Sequence, residues 1–404
     1  MNNLSNRYVE IAQLFLKLGV IGFGGPVAHI AMIEDEVVKR REWLTREHFL
    51  DLLGATNLIP GPNSTEMAIH VGYIYGGWLG LIIAGVCFIL PAVLITGTFA
   101  WIYVNYGTLP QIAPLLYGIK PAVLAIIINA LWGLSKKAVK TKQLLIIALI
   151  VGLVTYIWKV NEVIVLLLGG FLGMLWLRFS QNQNQNQNPN QKQGNQTNLL
   201  IATLSTGATW QAVAANTSVS AGTVPLWKLG WFFLKVGSVL FGGGYLLVAF
   251  LQGGLVEEYG WLTQQQLLDA IAIGQFTPGP VLSTATFIGY ILAGVPGAIV
   301  ATVGIFLPSF LFVAALNPII PRLRASSWTK QFLDAVNVSA VALMVVTTIQ
   351  LGIATLNLPK VDFLGLAITI TSAILIIRYR INAAWLVLGG AVVGWMAVFF
   401  GYVR

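Results

Sequence analysis

Charge is what this chain lacks most: of 404 residues only 9% are Asp, Glu, Lys or Arg, against 57% hydrophobic. Soluble domains carry about 25% charged residues, so water cannot be the solvent for most of this surface. Cysteine is reduced to Cys87, set in an apolar stretch. That excludes an internal disulfide framework and a thiolate-rich metal site. Histidine is limited to His29, His48 and His70, none at metal-ligand spacing from another, so neither a metal nor another cofactor is expected. A cleavable signal peptide is also missing, since the first ten residues are polar and the next segment is long enough to span. The net charge of +9 does not point to nucleic acid. Its Lys and Arg residues are scattered among short loops, where they act as orientation signals.

What is present is apolar length. The stretches 9–31, 78–104, 112–134, 229–250, 295–317, 333–352 and 384–402 reach the roughly 20 residues a spanning helix needs. The 42 glycines suit close helix packing and interrupted helices in lipid. The expected fold class is an all-α integral membrane protein, with the lipid bilayer as its surroundings.

The sequence repeats itself. Phe15-Leu16-Lys17-Leu18-Gly19 and Phe23-Gly24-Gly25-Pro26 return as Phe233-Leu234-Lys235-Val236-Gly237 and Phe241-Gly242-Gly243-Gly244, an offset of 233 − 15 = 218. The same offset carries Trp43-Leu44-Thr45 to Trp261-Leu262-Thr263, Asp51 to Asp269, and Pro60-Gly61-Pro62 to Pro278-Gly279-Pro280. One residue is then lost, so that Gly72-Tyr73 matches Gly289-Tyr290 and Pro91 matches Pro308. The chain is a duplication. Its halves are 1–178 and 226–404, joined by a linker, 179–225, whose Gln/Asn tract from Gln181 to Asn198 has nothing to bury.

Loop charges predict that the halves face opposite ways. Lys39, Arg40, Arg41 and Arg46 answer to Glu257 and Glu258, whereas the uncharged 104–114 answers to Arg322, Arg324 and Lys330. Lys136, Lys137, Lys140 and Lys142 face a counterpart with Lys360 alone, and Lys159 with Glu162 faces Arg378 and Arg380. Inversion requires an odd number of crossings per half. Five are read in the first: 9–31, 78–104, 112–134, 144–158 and 162–177. The segment 48–77 is split by Pro60-Gly61-Pro62 into pieces too short to cross and reads as a re-entrant hairpin. The expected architecture is two inverted repeats, about ten transmembrane helices and two hairpins. The linker is then cytoplasmic and both termini outside. Seven crossings per half would satisfy the same parity.

Inverted repeats with broken helices are a transporter plan, with the site near the midplane. The candidates are therefore Gly24, Gly25, Gly242 and Gly243 at one pair of breaks and Pro60, Gly61, Pro62, Pro278, Gly279 and Pro280 at the other. In Pro60-Gly61-Pro62-Asn63-Ser64-Thr65-Glu66, Asn63 or Ser64 is the expected N-cap, and the free N–H groups of the first turn form an anion site. Thr65 completes that turn. The bland alternative is that these breaks are packing devices. Lys17 and Lys235, at equivalent places in apolar segments, are anion attractors or else snorkel to an interface. Glu66 and His70 share a helix face at i and i+4 and are the proton-coupling candidates, or else a satisfied polar pair. Thr284, Thr286 and Ile288 stand near the equivalent positions. Asp51 and Asp269 cap or pair locally; Lys120, opposite Asn337, breaks the symmetry; His29 is a lesser candidate. Glu34, Asp35 and Glu36 read as a solvated loop edge.

On the motifs quoted, from Phe23-Gly24-Gly25-Pro26 and Trp43-Leu44 to Thr277-Pro278-Gly279-Pro280 and Thr284-Ala285-Thr286-Phe287-Ile288-Gly289-Tyr290, the chain resembles the chromate ion transporter family in its long, two-domain form. The resemblance covers about 8–178 and 226–402. It implies export of chromate across a bacterial inner (plasma) membrane, conferring resistance, with sulfate as the structural analogue and a homodimer as a compatible assembly. The residues alone reach as far as a small anion. A sulfate or other oxyanion permease is the alternative. A membrane-embedded enzyme would need a gathered nucleophile and base or acidic metal ligands.

Overall fold

The computed structural model describes residues 2–23, 25–107, 113–158, 160–186, 224–241, 244–316, 326–357 and 361–399. Regular structure among them is entirely helical. In the first half the helices are α1 (Asn2–Ile21), α2 (Gly25–Glu34, running on as a π-helix over Asp35–Arg40), α3 (Arg46–Thr56), α4 (Asn63–Tyr106), α5 (Ala113–Ala138), α6 (Lys142–Trp158) and α7 (Glu162–Asn186). The second half has α8 (Leu226–Val239), α9 (Leu247–Leu251, followed by a π-helix over Gln252–Glu258), α10 (Gln264–Phe276), α11 (Thr284–Leu316, after a 3₁₀ turn at Val281–Ser283), α12 (Ser327–Thr355), α13 (Phe363–Tyr379) and α14 (Ala383–Phe399). Among the described residues five helices are long and apolar enough to cross a bilayer, α4, α5, α7, α11 and α12, and α6, α13 and α14 are shorter apolar ones. On α6, Leu149, Ile150, Leu153 and Trp158 are all more than half exposed. An outward apolar face of this kind belongs in lipid. The chain is a multi-pass membrane protein.

At 44 residues, α4 would measure about 66 Å if straight, twice the hydrocarbon thickness. It is a hairpin instead. Gly77 takes φ 64°, ψ −152°, a region open essentially to glycine. The two legs then meet so closely that a Cβ on Gly72 would overlap Ala84 and the Gly80 backbone. α11 repeats this turn at Gly294, with φ 62° and ψ −152°, and there Gly289 meets Gly297 and Ala301.

The expected crossings at 9–31 and 229–250 are not single helices. α1 ends at Ile21, α2 begins at Gly25, and Lys17 Nζ lies 2.7 Å from Glu36 Oε1. Residues 19 apart in one helix would stand about 28 Å apart, so α2 turns back along α1. In the second half Gly254 packs on Phe232 in the same manner. The physical cause is the glycine-rich break, which favours a reversal over continuation. Glu34, Asp35 and Glu36 are correspondingly not a loop edge. Glu36 is buried and bonds Lys17, Arg40 and Arg41. The Lys17 ammonium is the main reason its carboxyl is held below the ordinary glutamate range.

Around these hairpins the longer helices close on glycine contacts. Gly118 of α5 touches Gly390 and Gly394 of α14 backbone to backbone, and Gly169, Gly170 and Gly173 of α7 receive Ser339, Val336 and Ala335 of α12. Small residues are what allow helices to approach in lipid, where no hydrophobic force drives them together. Gly118→Leu should therefore cost about 1–3 kcal/mol through overpacking. We expect a lowered thermal midpoint in detergent, while Gly389→Ala, with open space around it, leaves the midpoint in place.

Candidate functional site: the junction of four broken helices

Each Pro-Gly-Pro loop docks on the helix break of the other half. The Gly61 N–H donates to Leu240 O at 2.8 Å, and the Gly279 N–H donates to Gly22 O at 2.7 Å. The two bonds are equivalent, since 22 + 218 = 240 and 61 + 218 = 279. Backbone interrupted at membrane depth must find partners inside the protein. Here each break supplies the other half's missing acceptor. Close approach requires glycine: a Cβ on Gly279 would press on Ala92, and one on Gly61 would overlap Glu66 Oε1 and Ser309 Oγ.

Neither helix that leaves a Pro-Gly-Pro loop is capped as expected. Pro62 and Pro280 occupy the N-cap positions, and neither helix start receives a side-chain cap. Asn63 spends its amide on Asn57 Oδ1, 2.8 Å away, and Ser64 faces His29 Nδ1 at 3.4 Å. Proline wins the position because it has no N–H to satisfy and sits readily in extended backbone. The helix starts are left open to a ligand.

The side chains at the junction are buried and unsatisfied. Glu66, His70, Thr65 and Ser309 are each 0% exposed. Both carboxyl oxygens, both imidazole nitrogens and both hydroxyls lack a hydrogen-bond partner. Glu66 and His70 therefore share a helix face without forming the satisfied pair that was the alternative. His29, 1% exposed, points Nε2 at Gly22 O, 2.8 Å away. That acceptor assigns the proton to Nε2. Ordinary cores leave few such groups unpaired, and ionisable ones in a membrane segment mark function.

The second half lacks this chemistry. Ser283 and Thr284 stand where Glu66 does: Thr284 donates to Val281 O at 2.8 Å and Ser283 meets Thr96 across the halves at 3.2 Å, while Thr286 bonds Thr302 at 2.7 Å. Ile288 is buried. Ala92 is the counterpart of Ser309, and Leu247 and Leu282 are those of His29 and Ser64.

Gly25 and Pro26 follow the first break, with Gly25 at φ 76° and its Cα facing the Tyr245 hydroxyl. Gly24, Gly242 and Gly243 lie outside the described residues. Lys17 is engaged by Glu36 and its side chain is 50% exposed, and Lys235 lies over the Phe232 ring at 5.7 Å. Neither lysine is among the unsatisfied groups. Asp51 is exposed, whereas Asp269 is 1% exposed, accepts from Tyr103 at 2.9 Å and pairs with Lys120 at 3.4 Å. That bridge between α5 and α10, and the role of Ser309, are not evident from local sequence. Ser309 had one available signal, its position directly after Pro308 opposite Ala92. Among the described residues no three His, Cys, Asp or Glu side chains gather to hold a metal.

Asp269→Asn should leave Lys120 buried without its counter-charge, a loss of about 3–5 kcal/mol. The double variant Lys120→Met/Asp269→Leu should lose less than either single change. Thermal midpoints of the four proteins check this.

The profile of the family described as Chromate transporter matches residues 9–174 and 227–395. The chain is 33% identical to the probable chromate transport protein of Synechococcus elongatus, over 90% of this chain and 89% of that one. It is 32% identical to the chromate transport protein of Cupriavidus metallidurans, over 96% and 92%. The chromate transport protein of Pseudomonas aeruginosa is 30% identical over the same shares, 96% and 92%. No solved structure matches the chain. The two matched blocks fall on the two halves whose breaks interlock, and the chain belongs to the chromate transporter family.

Proposed function

We propose that this chain exports chromate from the cytoplasm through the junction of the four breaks, driven by the proton gradient, and so confers chromate resistance. The observation that carries this reading is that Thr65, Glu66, His70 and Ser309 are buried and unsatisfied, with Glu66 and Ser309 both against Gly61. The two uncapped helix starts supply N–H groups and positive dipole ends of about +0.5 charge each, suited to a tetrahedral dianion. Hydroxyls of Thr65 and Ser309 can donate to its oxygens. Glu66 and His70 are the acid and the imidazole at the same place. A proton taken up there changes the local charge by one and so shifts affinity for the dianion. Sulfate, of the same shape and charge, is the competing substrate.

The contact order supports opposed halves. Along α4 and α11, Gly85 meets Phe310 and Gly97 meets Thr286, which bonds Thr302 of the second leg of α11, so the second legs run antiparallel. Arg7 lies over the Tyr75 ring, which stacks on Trp43 at 3.9 Å. The start of α1 then shares a face with Lys39, Arg40, Arg41 and Arg46, the cytoplasmic one by charge. This moves the N-terminus inside and leaves the C-terminus outside. With α4 crossing in its second leg, followed by α5, α6 and α7, α7 ends on the cytoplasmic face and α8 starts on the other.

Cells expressing the protein should accumulate less labelled chromate than cells carrying an inactive variant, and equal accumulation removes the export reading. In inverted vesicles, Glu66→Gln should abolish stimulation by the proton gradient, a coupling of about 5–150-fold in typical linked systems. Unlabelled sulfate in the same assay distinguishes the two oxyanions. An impermeant reagent applied to whole cells should reach a C-terminal tag and spare an N-terminal one.

A further inference from the structure

We propose a second site, for a small hard cation, between the start of α7 and the π-helix Gln252–Glu258. An enclosed cavity of about 20 Å³ lies there, lined by Thr155, Glu162, Gln252, Gly253, Glu257 and Thr347 among others. That is room for one water-sized species. The polar atoms offered by the side chains of Thr155, Glu162, Glu257 and Thr347 are all oxygens, the donors preferred by alkali and alkaline-earth ions.

Gln252 points to a ligand independently of the acids. Its side chain is 4% exposed, and Nε2 donates to Glu257 Oε1 at 3.1 Å and to Gln264 Oε1 at 3.0 Å. Two acceptors fix which end of the amide is which. Oε1 is left buried with no partner. A buried carbonyl aimed at a cavity beside two carboxylates is a ligand set lacking its centre. Gly253 contributes by having no side chain, since a Cβ there would overlap the Glu162 carboxylate.

The equivalent place in the first half shows how such a position is otherwise neutralised. There Lys17, Arg40 and Arg41 converge on Glu36. At an offset of 218, Glu257 and Glu258 replace Lys39 and Arg40, and Gly254 replaces Glu36. Among the described residues, no Lys or Arg forms an ion pair with Glu162, Glu257 or Glu258. Asn161 donates to Glu258 at 2.9 Å instead. Lys235 acts on Glu162 without pairing with it, so a cation in the cavity would be the direct counter-charge for its two acids, and the cavity has no space for a water shell. That disfavours Mg²⁺, which dehydrates reluctantly, and favours Na⁺ or Ca²⁺.

The test is thermal unfolding of the full-length protein in detergent, titrated with NaCl or CaCl₂ against choline chloride at matched ionic strength and without chromate. One of the two cations should raise the midpoint saturably, then with the logarithm of its concentration. Even outer-shell partners of metal ligands are worth about 10–100-fold in affinity, so Glu162→Gln should lose at least tenfold. Gly253→Ala should lose a comparable amount. Gln252→Glu keeps the oxygen and should retain the response, which guards against a variant that merely fails to fold. A flat titration with both cations overturns the site, as does an equal response in wild type and Glu162→Gln. Neither result bears on chromate export, which is read by a different assay.

Discussion

Two backbone hydrogen bonds, Gly61 N–H to Leu240 O and Gly279 N–H to Gly22 O, hold the centre of this protein together. A helix interrupted in lipid exposes polar groups at a cost of several kcal/mol each unless something receives them. This chain solves the problem by crossing the breaks, so that the loop of one half is completed by the interruption of the other. Neither half is then self-sufficient at its midpoint. The glycines at the junction, the hairpins of α4 and α11 that deliver the loops, and the buried Glu66 and Ser309 beside Gly61 all follow from that arrangement.

The hairpins matter because they set depth. Gly77 and Gly294 turn their helices back with almost the same dihedral angles, so the short first legs place Glu66 opposite the hydroxyl pair Ser283 and Thr284. The longer second legs bring Ser309 and Ala92 to the same two places. Packing is thus repeated while chemistry is not. One half brings Glu66, His70 and Thr65, with Ser309 from the other, all unsatisfied, whereas the hydroxyls of Ser283 and Thr284 already have hydrogen-bond partners.

Much of this was legible in the sequence. Helical class, apolar length, the duplication and the position of both kinds of break follow from period, composition and punctuation. Glu66 and His70 stand out in the sequence because they are ionisable in an apolar stretch, and the structure buries both. The reading failed where long-range partners decide the outcome. Residues 9–31 are apolar enough to cross, and only the reversal between α1 and α2, fixed by Lys17 with Glu36, shows that they form no single spanning helix. The cap was misplaced because Asn63 finds Asn57, six residues away and across the loop. Lys120 with Asp269, and Gly61 with Leu240, join segments more than 140 residues apart. No local pattern encodes such pairs.

The near-equivalence of the two halves has a consequence for vectorial work. A framework built twice and facing both ways, as proposed, has no front and no back in its main chain. Any preference for one direction has to be written in the side chains that differ between matched places. Among those at the junction are Glu66 against the hydroxyls of Ser283 and Thr284, Ser309 against Ala92, His29 against Leu247, and Lys120 against Asn337. The sense of transport is therefore a property of the substitutions laid over an ambidextrous scaffold.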